Sequence, residues 1–287
     1  MKNRDVGLVI NIITEYGNAL VKKDYNEVTI KTYQSHFKRF LNYFHGVKPE
    51  LVTDKEIKKY LLHLVEEKKY STSSQNQAIN SIKLYYKKVL QREINDYYLP
   101  RPKKEKILPQ VLNETEVIKI LKSITNLRNK CMIFLVYSAG LTPSEITYIK
   151  VDDIDSKKMQ IFISSAKKED KGRFAILSNK LLNLLREYFK EYKPKYWLFE
   201  GNGGKQFSKR TMQKIFQNAV MKSGIKKRAT LIILKNSFAV HLIEKGVDIR
   251  YIQQLLGHKN SKTTMKYLKV SKRDLNAIQS PLDNLDI

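Results

Sequence analysis

The chain has one cysteine, Cys131, so no internal disulfide can form and nothing supports a cysteine-based zinc site. Cys131 heads the apolar run MIFLVYSAG, where it reads as a small buried hydrophobe. A chain without disulfides fits a reducing compartment. No stretch approaches the roughly 20 apolar residues that span a bilayer. The opening MKNRDVGLVINIITEYGN has too short an apolar run and too many charges for a secretory signal. A cytoplasmic protein with no membrane partner is therefore expected. No internal repeat is visible, and neither an aromatic RNA-binding pattern nor a strongly basic amphipathic helix is present. Acid is scarce as well: 28 acidic against 54 basic side chains in 287 residues leave a net charge of +26. An excess of this size attracts polyanions, nucleic acid first and an anionic membrane surface second. The competing reading, a surface charged for solubility, is weaker because both halves of the chain share the excess.

Residues 8–94 read as successive amphipathic helices. Val28, Tyr33, Phe37, Phe40, Leu41 and Phe44 recur at helical spacing. Thr53-Asp54-Lys55-Glu56 makes a capped start ahead of Ile57, Tyr60, Leu61, Leu64 and Val65. Ser71 to Ser74 form another, ahead of the stripe Ile79, Ile82, Tyr86, Val89 and Leu90, which should continue to about Arg92. Pro100, Pro102 and Pro109 among clustered charges favour extended backbone. The chain thus divides into a helical domain over 1–97, a basic proline-rich linker over 98–110 and a second domain over 111–287. In that second domain Asn113-Glu114-Thr115-Glu116 caps a helix through Leu121, and another covers about 129–139. Residues 159–163 and 173–177 are expected strands of a hairpin around the charged turn Lys167 to Gly172. Ser178 opens a helix through Phe189, and three more should start near Ser208, Leu234 and Asp248. The fold class is mainly α with a small β component.

The most informative segment is Leu255-Leu256-Gly257-His258, followed nine residues later by Tyr267. It resembles the end of the tyrosine recombinase (phage integrase) family, in which a histidine precedes the nucleophilic tyrosine by that interval. From about Thr29 to Ser271 the chain is similar to a bacterial-type member. The likeness is specific at the C-terminal motif and in the hairpin, and diffuse in the first domain. It implies a helical core-binding domain and an α+β catalytic domain that clamp opposite faces of duplex DNA, a recombining tetramer, and no metal or other cofactor. It further implies a tyrosine that attacks the scissile phosphate, two arginines on the non-bridging oxygens, a hairpin lysine that protonates the leaving 5′ oxygen, and two histidine-class residues. By this resemblance Tyr267 is the nucleophile and His258 the second histidine-class residue. Lys168 is the hairpin lysine, with Lys167 one register away and Lys171 nearby. A phenol ionises near pH 10, so Tyr267 needs a proton acceptor or a cationic setting. The plainer readings are a packing tyrosine, a histidine satisfied by helix-end carbonyls and a solvated lysine.

Other positions carry different chemistry. Where the family reads GLR-x-SEL, the chain has Gly140-Leu141-Thr142-Pro143-Ser144-Glu145-Ile146, so Thr142 replaces the first arginine. A hydroxyl makes one hydrogen bond but no charged bidentate clamp. Where the family reads H-x-L-R-H before SFA, the chain has Ile232, Lys235 and Asn236. Ile232 does no acid–base work, and Lys235 keeps the charge without the planar fork. Losing one donor to a developing oxyanion costs about 10²–10³ in rate. Losing a general acid–base group costs about 10²–10⁴, and such effects do not add in a shared site. Strand cleavage slowed by several orders of magnitude is expected.

The resemblance also suggests DNA contacts. In the first domain, helices starting near Thr29 and Ser71 would present Thr32, Lys38, Asn76, Gln77, Lys83 and Lys87; an ordinary polar face is the alternative. In the second, Lys205, Ser208, Lys209, Arg210 and Lys214 begin a helix beside the Gly201–Gly204 loop, where amides and basic side chains suit phosphate. The tail 271–287, with Leu275, Ile278, Leu282 and Leu285, would pack on a neighbouring protomer or on its own domain. Two functions compete: a recombinase acting through Tyr267, and a non-enzymatic DNA-binding regulator or accessory partner of an active recombinase.

Overall fold

The computed structural model describes residues 3–45, 47–95, 108–165 and 172–271, with side chains from residue 7 onward. The chain forms two compact units, 1–106 and 107–287. Among the described residues the first holds four α-helices: α1 (Asn3–Val21), α2 (Glu27–Tyr43), α3 (Asp54–Glu66) and α4 (Thr72–Lys88). Side-chain caps begin three of them by accepting from orphan backbone N–H groups: Asn26 from Thr29, Thr53 from Glu56 and Ser71 from Ser74. Their apolar stripes meet in an aromatic core of Tyr16, Phe37, Phe40, Tyr60, Tyr85 and Tyr86, all fully buried. Phe37 stacks on Tyr85 with ring centroids 4.0 Å apart. Two of the buried phenols find acceptors, Tyr16 at the Ser81 carbonyl and Tyr86 at the Pro49 carbonyl.

Two expectations fail here. Val28 is 72% exposed and lies off the buried stripe. The helix expected to reach Arg92 stops at Lys88, and Arg92 turns back to pair with Asp54 and to donate to the Val52 carbonyl. That pairing outweighs one further helical turn with Val89 and Leu90 only partly buried.

The second unit contains α5 (Glu114–Lys122), α6 (Leu127–Ala139), α7 (Pro143–Tyr148), β1 (Ile154–Asp155), β2 (Gln160–Ile163), β3 (Arg173–Ile176), α8 (Asn179–Tyr192), α9 (Lys209–Lys222), α10 (Leu231–Glu244), α11 (Ile249–Leu256) and α12 (Ser261–Leu268). The strands form an antiparallel sheet in the order β1-β2-β3, with Phe162 opposite Phe174 and Ile163 opposite Arg173. The architecture is mainly helical with a small sheet, as the sequence implies. Helix α6 lies at the centre. Cys131, Met132, Ile133, Leu135, Val136 and Ala139 are all inaccessible to solvent, the condition of a helix that is apolar on nearly every side. Helix α10 packs between α6 and α12. Phe238, Ala239, Val240, Ile243, Ile252, Leu256 and Tyr267 close a second apolar cluster.

Three boundaries depart from expectation. Helix α10 begins at Leu231 behind the cap Thr230, not near Leu234, because an all-round apolar segment offers no periodicity from which to count its start. A fourth late helix, α12, carries Tyr267. The short strand β1 precedes the hairpin. Linker residues 98–107, the turn with Lys167, Lys168 and Lys171, and tail residues 272–287 lie outside the described residues. Among the described residues no helix is long and apolar enough to cross a membrane.

Candidate active site

Segments distant in sequence converge where α10, α11, α12, β3 and the start of α7 meet. Tyr267 sits in the last turn of α12, 6% exposed. Its hydroxyl donates to Asn236 Oδ1 at 3.1 Å, and burial pushes its pKa upward. Its ring lies near-parallel to the imidazole of His258, centroids 6.3 Å apart. His258 follows Gly257, which ends α11 at φ 68°. His258 Nδ1 lies 2.9 Å from Thr264 Oγ1, a fully buried hydroxyl on α12. The histidine is therefore oriented by the helix that carries Tyr267, rather than by carbonyls at its own helix end.

Lys235 and Asn236 come from α10. Burial draws the Lys235 ammonium down from its ordinary value, Glu145 opposes this, and Arg173 adds to the fall. The same groups act on His258: burial first, then Lys235 and Arg173, hold it below the ordinary histidine value against the pull of Glu145. Burial works to raise the Glu145 carboxyl, but Arg173, Lys235 and the bonds from Thr142 prevail and keep it low. Lys235, Arg173 and His258 thus share one electrostatic neighbourhood around a single carboxylate, next to a phenol.

Thr142 is occupied locally. It is the N-cap of α7: its Oγ1 accepts from Glu145 N, while Glu145 Oε2 accepts from Thr142 N at 2.6 Å. This capping box fixes the helix start with the Thr142 hydroxyl and the Glu145 carboxylate. Gly140 makes the approach to it. Its φ is +64°, and an added Cβ would meet the Phe238 ring at 2.6 Å, so only glycine fits. Ile232, in the first turn of α10, is 69% exposed.

Arg173 was not singled out as a functional residue in the sequence, yet it joins the site's parts. It opens β3, opposite Ile163. One guanidinium nitrogen donates to Glu145 Oε1 at 2.7 Å and another to the Leu255 carbonyl. Its side chain passes beneath Gly257, where a Cβ would come within 2.7 Å of Arg173 Cδ and Nε. An arginine at the base of a charged hairpin has no distinctive local pattern. The one available hint was Glu145, a carboxylate in an otherwise basic chain that needed a partner.

The other candidates occupy two further places. In the first unit Lys38 and Gln77 are exposed, while Thr32, Asn76 and Lys83 are half-buried. Several are already engaged: Thr32 donates to the Val28 carbonyl, Asn76 to the Thr72 carbonyl, Gln77 lies 3.3 Å from His36, and Lys87 pairs with Glu93. In the second unit Ser208 caps α9 by accepting from Thr211, and Lys205, Lys209, Arg210 and Lys214 are all exposed around that helix start. Among the described residues no group of three or more His, Cys, Asp or Glu is arranged to hold a metal ion.

Comparison with known proteins places this geometry. The model described as Phage integrase family matches residues 110–274, and that of the Phage integrase N-terminal SAM-like domain matches 13–96. Tyrosine recombinase XerA of Pyrococcus horikoshii is 33% identical over 280 residues, covering 96% of this chain and 94% of its own. A crystal structure of XerA recombinase is 27% identical with a TM-score of 0.53, covering 90% of this chain and 93% of that one. A lambda integrase dimer bound to a COC' core site, 20% identical, shares the fold with a TM-score of 0.71 over 94% of this chain and 98% of its own.

Proposed function

The chain belongs to the phage integrase family of tyrosine recombinases, and on that premise we propose that it binds duplex DNA and attacks a phosphodiester through Tyr267, slowly, because its grip on the phosphate is depleted. The observation that carries this reading is the convergence of Tyr267 with His258 and Lys235, joined by Asn236. In the proposed step the Tyr267 hydroxyl releases its proton to solvent water and its oxygen bonds to phosphorus as the bond to the 5′ oxygen breaks. Lys168 supplies the proton to the leaving oxygen. Lys235 and His258 face the charge that builds up on the phosphate.

The deficits are specific. Thr142 offers a hydroxyl already committed to the cap of α7, where the family has a charged fork. Ile232 cannot take the phenol proton. The +26 net charge and the exposed cations at the start of α9 support DNA as the partner. A tetramer on DNA joined through the C-terminal tail completes the proposal.

The same vacancies favour a second reading, a DNA-binding regulator or accessory partner on this fold without strand cleavage. A nicked suicide duplex separates the two. Cleavage through Tyr267 leaves a covalent adduct that Tyr267→Phe abolishes. Binding with no adduct, even over long incubation, leaves the regulator.

A further inference from the structure

Asn236 stands where the resemblance gives the family a histidine, and its two bonds constrain each other. Its Nδ2 donates to the Gln110 carbonyl at 3.3 Å, and its Oδ1 accepts from the Tyr267 hydroxyl at 3.1 Å. A carbonyl only accepts, so the amide nitrogen has to face Gln110 and the amide oxygen has to face Tyr267. An amide oxygen in turn only accepts, so the phenol facing it has to be a donor, which is its neutral form. The segment that fixes this orientation is itself anchored within the second unit. Leu112 N donates to Ser237 Oγ at 2.8 Å, and Lys227 Nζ donates to the Val111 carbonyl at 2.6 Å.

From this geometry we propose that Asn236 is a positioning residue that keeps the Tyr267 phenol neutral, with the 110–112 segment setting which way its amide faces. The proposal rests on Tyr267 being the nucleophile for its meaning, but not for its test. An ionised Tyr267 would turn its charge toward the negative end of the amide dipole. Attack on phosphate therefore requires Asn236 to flip or withdraw, and a flip would set its Nδ2 against a phenolate and its Oδ1 against the Gln110 carbonyl. The other groups around Tyr267 do not supply a strong base. His258 on the connection to α12 is held low by burial and its cationic neighbours. Lys235 on α10 carries positive charge, and the nearby Tyr137 phenol on α6 is bound to His241 on α10 at 2.9 Å. The remaining cluster, Phe238, Ile243, Ile252 and Leu256, is apolar.

The test labels the full chain with 3-fluorotyrosine at position 267 alone and follows its ionisation by fluorine NMR. Loss of one buried acceptor is worth about 1 kcal/mol, close to fivefold in an equilibrium constant. In Asn236→Ala the ionisation constant of residue 267 should rise about fivefold, and in Asn236→Asp it should fall below that of the parent. Asn236→Leu, which keeps the volume, replaces the alanine variant should that one lose its helical circular dichroism. An unchanged or smaller constant in the apolar variant overturns the proposal. So does a larger constant in both the apolar and the aspartate variants, which would mean only that water had entered. If no variant captures DNA, the cleavage reading fails while the titration still decides the role of Asn236.

Discussion

Arg173 donates to Glu145 on one side and to the Leu255 carbonyl on the other, so one guanidinium joins the start of α7 to the end of α11. Both members of its ion pair are largely buried, with side-chain exposures of 14% and 23%. Removing the arginine leaves the buried carboxylate with only Lys235 and the bonds from Thr142 to offset it, which costs up to about 3 kcal/mol. Arg173→Met should accordingly lose about that much unfolding free energy in urea titration. The His258 pKa should rise in the same variant, because a cation that depresses it has gone; histidine NMR reads this directly. His258 itself ties stability to pH. Its folded value lies below the unfolded 6.5, so between the two values the unfolded chain binds more protons. The stability it contributes is intact above pH 6.5 and is lost as pH falls through the folded value. His258→Gln should flatten this acid-side slope. His36, lowered mainly by burial with Arg39 adding and Gln77 opposing, gives a slope of the same sign and should retain its share.

At the scale of the element, the start of α7 shows why placing an arginine at position 142 has a structural cost. Thr142→Arg supplies a cation but removes the hydroxyl that accepts from Glu145 N. An N-cap of this kind is worth about 1 kcal/mol, and the variant should be less stable than the parent by about that amount, whereas Thr142→Ser should be near neutral. Elements of this sort are also where the sequence was most and least readable. Capping residues followed by periodic stripes mark α3 and α5 clearly, because Thr53 and Asn113 each precede a glutamate that completes the box. Helix α10 is apolar on nearly all sides, so its start could not be counted. Helix α12 is eight residues long with only Thr264 and Tyr267 buried, too short a stripe to announce itself beside the motif it carries. Tyr267 and His258 stand out through their spacing. The Asn236–Gln110 bond and the Arg173 bridge depend on register and tertiary packing that no local pattern encodes.

At the scale of the whole molecule, charge dominates. With +26 and exposed cations around the start of α9, DNA affinity should fall steeply with salt, each phosphate contact adding roughly 0.9 to the log–log slope. Replacing Lys209 and Arg210 together by alanine should lower that slope by about 2 while weakening all sequences alike. A nearly flat salt response in the parent chain would remove the electrostatic basis for DNA binding. The central claim is that Tyr267 is a nucleophile whose surroundings hold a phosphate poorly. The direct measurement is the single-turnover rate of covalent capture on a 5′-phosphorothiolate duplex, whose leaving group needs no proton, for the parent chain and for Thr142→Arg/Ile232→His/Lys235→Arg. The expected result is slow, Tyr267-dependent capture by the parent and a rate at least about 10²-fold higher in the restored chain. Capture by the parent as fast as by the restored chain would contradict the claim.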